Sequence, residues 1–550
     1  MSDLFRVGLP TRGEWGLAVL SALLLVFAFP DFDLWPLAWV ALAPLVFAIV
    51  RRPRPYWSSF LLGWLFGTLF FYGSCWWLTH SMIHYGGIPS AVAFLLLFPV
   101  TLVVGLFPGL FALALARLAG RWQHKALLLA PCLWAAQEWA RFGVTGQLWN
   151  AAGYSQAFHP TVIQTASFGG VYAVGFLIMT VNAAAVYALL RPRTTRTLLV
   201  AAATVSAVFM ILFLSAREAS HATAVDGHAE PAAAVIVGVQ PNVEADFKRS
   251  VAENEALVSR HLSMSANALR DWDEANRPRL TDAAPGRADA DGGTGAADVP
   301  ASPLPRVVVW PESPMNFTYA RDTSFRETVG EFARAHDAAV LFNALEPAPA
   351  GGAYNSAVLV DASGRLVAQY DKIRLLPFGE YVPLPRWLPG ASLVTGIVGD
   401  FTPGADYKLM PFGAARGGVF ICIESAYPEI ARTFAREGAD VLVNISNDGY
   451  LGRTPVLRQH LANTVFRAVE NRRPVLRVTN TGISARVSAR GEVSGATESF
   501  EPAVRTWLVA RAPNGQTFYT RHGDLFVMLC TAVSALALLA TVFTRAATRP

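Results

Sequence analysis

The chain has 550 residues, of which 53% are hydrophobic and only 15% charged, and its formal net charge is +5. So apolar and charge-poor a composition excludes an ordinary soluble domain of this length. The small basic excess gathers at the edges of apolar runs, so it gives no sign of nucleic-acid binding.

Seven apolar runs lie in the first 215 residues, at about 15–30, 34–50, 57–79, 89–116, 126–142, 162–190 and 197–215; an eighth covers 525–543. A spanning helix needs roughly 20 apolar residues, so the first two are short. The first does not read as a cleavable signal peptide, because further spans follow and no small-residue cleavage site stands behind it. One set of connecting segments holds Arg6 and Arg12; Arg51, Arg52 and Arg54; Arg117, Arg121 and Lys125; Arg191, Arg193 and Arg196; and Arg545 and Arg549. The alternate segments 31–33, 80–88 and 143–161 hold no Lys or Arg. Positive charge stays in the cytoplasm. The expectation is a bundle of about eight spans with both termini cytoplasmic and residues 216–523 outside: a seven-span bundle over 1–215, a catalytic domain over 216–523, and a last span with a cytoplasmic tail over 524–550.

Residues 216–523 alternate short Val/Ile/Leu-rich runs (234–239, 307–310, 339–343, 357–360, 418–423, 441–446) with helical patterns (325–336, 428–437, 456–471). Unbroken apolar strands alternating with helices indicate an α/β domain with buried sheets. Residues 272–305, rich in Ala, Asp, Gly and Pro, read as a largely disordered insertion. Of the four cysteines, Cys75, Cys132 and Cys530 fall in apolar segments and read as small buried hydrophobes. No CxxC or Cys/His spacing exists, so no metal site is expected.

Three patterns carry candidate chemistry. VVVWPES places Glu312 after a buried-type strand. YDKIRLLPFGEYVPL holds Lys372 and Glu380. GGVFICIES ends an apolar strand at Cys422, with Glu424 two residues on. Sites in α/β sheets form at such strand ends. A thiol attacks a carbonyl as thiolate and wants a base nearby, which a carboxylate can supply. The oxyanion then wants positive charge and aligned N–H donors, which a lysine and the backbone N–H of Ile423 would provide. Each residue alone is as easily a surface charge or a packed thiol. An oxidising compartment makes an unpaired structural cysteine less ordinary, which brings Cys422 to an even balance between packing and chemistry.

Taken together the patterns resemble the nitrilase (carbon–nitrogen hydrolase) superfamily with its Glu-Lys-Cys triad. The order of spans, hydrolase-like domain and final span resembles the apolipoprotein N-acyltransferase family. GYSQ at 153–156, WPES at 310–313, YDK at 370–372, PFGEYVP at 377–383, SND at 446–448, QHL at 459–461, RAVE at 467–470 and NTGISA at 480–485 carry the resemblance. It implies an αββα sandwich and a cofactor-free ping-pong reaction. Cys422 would take an acyl chain from a phospholipid as a thioester and pass it to the α-amine of a lipoprotein's diacylglyceryl-cysteine. Glu312 would be the base, Lys372 the oxyanion partner, Glu380 a second essential carboxylate, and Glu424 a further functional position. It also implies a bacterial inner membrane with the catalytic domain in the periplasm.

Contacts to substrate are expected from Trp149, from Tyr450, and from Trp387 in the apolar stretch 387–401, read either as a membrane-facing arm or as a buried loop. Glu138 and Arg141, three apart on one helix face, read either as an interfacial pair or as contacts to a lipid headgroup or the loop of Trp149. His460 reads as structural. Three departures bear on substrate preference: Ile423 where the family has an aromatic, TGQLW at 145–149, and GYLG after SND. A membrane-tethered amidase-type hydrolase and a non-enzymatic multispan scaffold remain the competing readings.

Overall fold

The computed structural model describes residues 8–51, 55–146, 148–191, 194–225, 231–244, 250–281, 304–312, 317–349, 351–377, 379–381, 401–513 and 515–543. Trp387, nearly all of the 387–401 stretch, residues 282–303 of the insertion and the cations Arg6, Arg52, Arg54, Arg193, Arg545 and Arg549 lie outside them. The chain forms two compact units. One comprises residues 1–221, 451–470 and 517–550, the other 222–450 and 471–516.

The first unit is helical. Each of the eight apolar runs contains helix, but they are not equal as membrane spans. Among the described residues, four stretches are long and apolar enough to cross a bilayer: Ser90–Thr145, Ala166–Leu190, Thr195–Ser220 and Leu525–Phe543. A fifth arises if Tyr56–Ser74 and Leu78–His84, bent by 52°, count as one. The remaining apolar helices are short. Arg12–Phe27 has 16 residues and the Trp35–Val50 stretch is broken near Leu42. At 1.5 Å per residue, 16 residues fall short of a ~30 Å hydrocarbon core. Short length thus removes the first two runs, the bend sets the third apart, and the runs at 89–116 and 126–142 fall within the one stretch Ser90–Thr145.

Small residues set how closely two of these helices approach. Gly63 and Gly67 on Tyr56–Ser74 face Gly105, Pro108 and Ala112 on Ser90–Trp122. A side chain at Gly67 would sit 3.0 Å from the Gly105 backbone. In an apolar solvent, where helices gain little from burying each other, such close van der Waals contact is what holds them together.

The second unit holds two six-stranded sheets. With β1 (Ala232–Gln240), β2 (Arg306–Val309), β3 (Ala338–Pro347), β4 (Ala353–Val360), β5 (Leu366–Asp371) and β12 (Ala503–Ala510), the first runs β12-β1-β2-β3-β4-β5. With β6 (Leu409–Phe412), β7 (Ala415–Ile421), β8 (Val441–Ser446), β9 (Val475–Thr479), β10 (Ala485–Val487) and β11 (Val493–Ser494), the second runs β11-β10-β9-β8-β7-β6. The cores β1-β2-β3 and β7-β8-β9 are parallel, and the edges antiparallel. Parallel strands covered on both faces need apolar side chains on both, hence runs such as VLV in β8, buried throughout. Helices Val251–Thr281 and Thr323–His336 pack on the first sheet and Pro428–Arg436 on the second.

The helix Val251–Thr281 continues past Trp272, where the insertion was expected to start. Asp273 explains the extension: it pairs with Arg306 at 3.0 Å, tying the added turns to the start of β2.

Candidate active site

The ends of β2, β5, β7 and β8 converge in the second unit. β2 ends at Val309 and delivers Glu312 through Trp310, which is buried and donates its indole N–H to Ser265 on the helix above. β5 ends at Asp371 and delivers Lys372, whose N–H is held by the Asn355 carbonyl at 2.8 Å. The Lys372 side chain is 1% exposed. Its Nζ donates to Glu380 Oε1 at 2.9 Å and to Glu312 Oε1 at 3.4 Å. Asn355 Nδ2 bridges the same two oxygens, at 2.6 Å to Glu380 and 2.9 Å to Glu312. Two donors thus alternate with two carboxylates in a closed ring. Asn355 is itself aimed by Asn343, which donates to its Oδ1 at 2.7 Å. The remaining oxygens are also held: Glu312 Oε2 by the Asn447 N–H at 3.1 Å, Glu380 Oε2 by the Leu376 N–H at 2.7 Å.

Cys422 follows β7 with φ +52°, a left-handed conformation that costs a residue with a side chain about 1–2 kcal/mol. Such strain persists only where the surroundings fix it, and Glu424 supplies the fixing. Its fully buried carboxylate accepts from the Ile421 N–H on one oxygen (2.8 Å). On the other it accepts from the Ile373 N–H (2.8 Å), the Arg374 N–H (3.1 Å) and the Tyr370 hydroxyl (2.8 Å). One side chain therefore ties the turn of Cys422 to the segment of Lys372. Ile423 is the second residue of the short 3-10 turn Cys422–Ala426; first-turn N–H groups have no partner within their own helix.

The electrostatics are uneven. Burial works against the charge on Lys372, but the Glu312 and Glu380 carboxylates outweigh it and hold the ammonium well above its ordinary range. Burial, then the Glu312 carboxylate, push the Cys422 thiol far up, with Lys372 pulling the other way. The resting sulfur is a thiol, so attack needs a base. Burial also raises Glu424 to about 7, against its hydrogen-bond donors. None of the four cysteines is in a disulfide. Among the described residues no group of three or more His, Cys, Asp or Glu is placed to hold a metal ion.

Of the other sequence-predicted residues that are described, Tyr450 belongs to the second unit and Trp149, Glu138 and Arg141 to the first. Tyr450, half-buried, stands in the short turn Gly449–Leu451. In the helical unit Trp149, Glu138 and Arg141 are all buried. Glu138 Oε1 accepts from the Ala152 N–H at 2.8 Å, and Arg141 donates to the Trp149 carbonyl at 3.0 Å while lying over the Phe71 ring. Both therefore hold the loop of Trp149 from inside the bundle.

Gln459, within the QHL motif, organises the same region. Its Oε1 accepts from the indoles of Trp149 (2.9 Å) and Trp77 (3.1 Å), and from Asn150 (3.4 Å). Its Nε2 donates to the carbonyls of Ser74 (3.0 Å) and Pro30 (3.4 Å). His460 packs its ring against Trp149 at 5.7 Å. Replacing Gln459 with leucine strands the buried indole N–H groups of Trp149 and Trp77, each costing about 1–3 kcal/mol, while Asn150 keeps the Cys75 sulfur. Thermal unfolding in detergent is expected to show a Tm loss of several degrees; an unchanged Tm would refute the hub.

Residues 21–184 match the family model described as the apolipoprotein N-acyltransferase N-terminal domain, and 249–512 match carbon–nitrogen hydrolase. The helix Val456–Asn471 lies inside the second match, although 451–470 belong to the helical unit. Among solved structures, an amidase from Nesterenkonia sp. is similar at 16% identity and a TM-score of 0.36, covering 54% of this chain and 96% of that one. The apolipoprotein N-acyltransferase of Chlorobaculum tepidum is 29% identical, with 96% of both chains covered. That of Geobacter metallireducens is 32% identical over 96% of this chain and 94% of its own. A likeness of that extent, running through both the apolar helices and the hydrolase fold, makes this chain a membrane protein of the apolipoprotein N-acyltransferase family, within the nitrilase superfamily.

Proposed function

We propose that the protein transfers an acyl chain from a phospholipid to the N-terminal α-amine of S-diacylglyceryl-cysteine in lipoproteins, through a thioester on Cys422. The observation that carries this reading is the buried Lys372 ammonium clamped between Glu312 and Glu380, with both Glu312 and Lys372 acting on the Cys422 thiol. Glu312 takes the thiol proton as Sγ attacks the ester carbonyl. Lys372 and the Ile423 N–H stabilise the oxyanion. Collapse expels the lysophospholipid oxygen, which recovers the proton from Glu312. The acceptor amine then attacks the thioester, gives its proton to the same carboxylate, and the thiol is restored. Glu380 keeps Lys372 in place, and Glu424 keeps the two chain segments in register.

The apolar helices support lateral delivery of lipid. The distribution of Arg and Lys supports both termini in the cytoplasm of a bacterial inner membrane, eight helices in or against the bilayer, and a periplasmic catalytic domain over 216–523. Trp149, Trp387 and Tyr450 are assigned to substrate contact, Glu138 and Arg141 to support of the Trp149 loop.

The test is intact mass spectrometry of detergent-purified protein given phospholipid, then a diacylated lipopeptide. One acyl mass is expected on Cys422, moving to the peptide amine; Cys422→Ala takes up none and transfers none. Release only as free fatty acid would favour a hydrolase. Turnover by Cys422→Ala at the parent's rate would sink the mechanism.

A further inference from the structure

Behind Cys422 the second sheet buries a charged pair that this reaction leaves unused. Arg477 projects from the middle of the apolar strand β9 and donates through Nη2 to Asp448 Oδ2 at 2.7 Å, with both side chains at most 1% exposed. Removing two charges from water is costly, and a buried ion pair is weak grounds for stability alone. What the arginine reaches besides Asp448 gives the pair a use.

Phe420 on β7, Asn444 on β8 and Arg477 on β9 are register partners across three adjacent parallel strands. Arg477 Nη1 donates to Asn444 Oδ1. Asn444 is fully buried, and its Nδ2 donates to the carbonyls of Phe420 at 3.3 Å and Cys422 at 3.4 Å. An amide can lie either way round, its oxygen accepting and its nitrogen donating, whereas a guanidinium has donors alone. Arg477 therefore draws the amide oxygen toward itself and turns the NH2 group toward the strand end that carries the thiol. The two carbonyls so held lie before and after the bend at which Cys422 takes its φ of +52°. Such a conformation persists only where the surroundings fix it.

The second guanidinium nitrogen braces the turn after β8. Asp448 follows Asn447, whose N–H holds Glu312 Oε2 at 3.1 Å. Any side chain at Gly482 would collide with the Asp448 carboxylate, so the chain is shaped to keep that carboxylate where Arg477 meets it.

Resting on the assignment of Cys422 as nucleophile, we propose that Arg477 is a positioning residue for this reaction: it sets the orientation of the Asn444 amide and, through it, the bend that presents Cys422 Sγ. It acts through Asn444 and takes no part in bond making. Lysine at this position separates the role from charge balance. It supplies a cation to Asp448, but a single nitrogen on a flexible stem lacks the planar fork that meets two acceptors at once.

The test is the rate of thioester formation on Cys422 in the detergent-purified full chain, followed by intact mass over a range of phospholipid concentrations. Arg477→Lys should lower the maximal rate about tenfold, through a lost hydrogen bond and a slightly displaced nucleophile, and leave the half-saturating lipid concentration unchanged. Asn444→Leu should do the same. Because the two residues act in series, the double variant should be no slower than Asn444→Leu alone. Should Arg477→Lys not fold, Arg477→Gln with Asp448→Asn takes its place in the same cycle; it removes both charges together and can meet the Asn444 amide either way round. A maximal rate equal to the parent's, a change confined to half-saturation, or effects that multiply in the double variant overturns the proposal. A parent that forms no thioester would instead overturn the nucleophile assignment, and this inference with it.

Discussion

Exchanging Lys372 for methionine is expected to abolish transfer and to destabilise the catalytic unit by about 3–5 kcal/mol. Methionine nearly fills the volume but removes the one cation between Glu312 and Glu380. Their Oε1 atoms keep only the Asn355 amide, whose 2.6 and 2.9 Å bonds cannot offset two buried negative charges. Removing one oxyanion donor alone costs about a hundred- to a thousandfold in rate, and loss of the clamp displaces Glu312 as well. Thermal unfolding in detergent and the lipopeptide assay measure the two effects separately. A Tm within about a degree of the parent would mean the carboxylates are not held as described.

Changing Glu424 to glutamine should leave a folded protein that transfers at about a hundredth of the parent rate, because small misplacements of reacting groups cost that much. A glutamine offers only one accepting oxygen and brings an NH2 group where the carboxylate met donors alone. Whichever way it lies, that NH2 faces a backbone N–H: the one of Ile421, or those of Ile373 and Arg374. The turn of Cys422 and the segment of Lys372 then part slightly. The same geometry gives a pH dependence. With the carboxyl raised to about 7, acidification through neutrality puts a proton on an oxygen that must accept, and one anchor is lost. Parent activity is therefore expected to fall as pH drops from 8 to 6, and the glutamine variant to lack that limb. An unchanged limb in the variant would assign it to another group.

Glu312, Cys422 and Glu424 were legible as candidates because each follows an unbroken apolar strand, where α/β sheets expose reactive groups; Lys372 and Glu380 stood out through the motifs YDK and PFGEYVP. Their helpers were not. Asn447 lies 135 residues from the Glu312 it holds, and no local pattern links a turn after β8 to a carboxylate after β2. A weaker signal existed: Asn355 and Arg477 are polar residues inside the buried strands AYNSAVLV and VLRVT, and a polar group there must find a partner. The apolar helices were plain from composition. The shortness of the first two was legible as well, but the number able to span was not, because a bend such as the 52° one after Ser74 leaves no mark in hydropathy. Gln459 was hidden for another reason: its helix is ordinary in composition, and only the folded chain reveals its partners as Trp77, Trp149 and the carbonyls near them.

The helix Val456–Asn471 has a practical consequence. Cutting the gene at the last apolar run before the sheets and the first one after them would seem to yield a soluble enzyme. Such a fragment would carry that helix away from Asp33, Tyr154 and Val171, which engage Arg458, Arg467 and Glu470. The fully buried Arg467–Glu470 pair would face water along an orphaned apolar seam, and the membrane part would be left with an empty groove. The units are interleaved in the gene, so neither is a portable module. Shuffling between homologues has to exchange 451–470 together with the membrane helices.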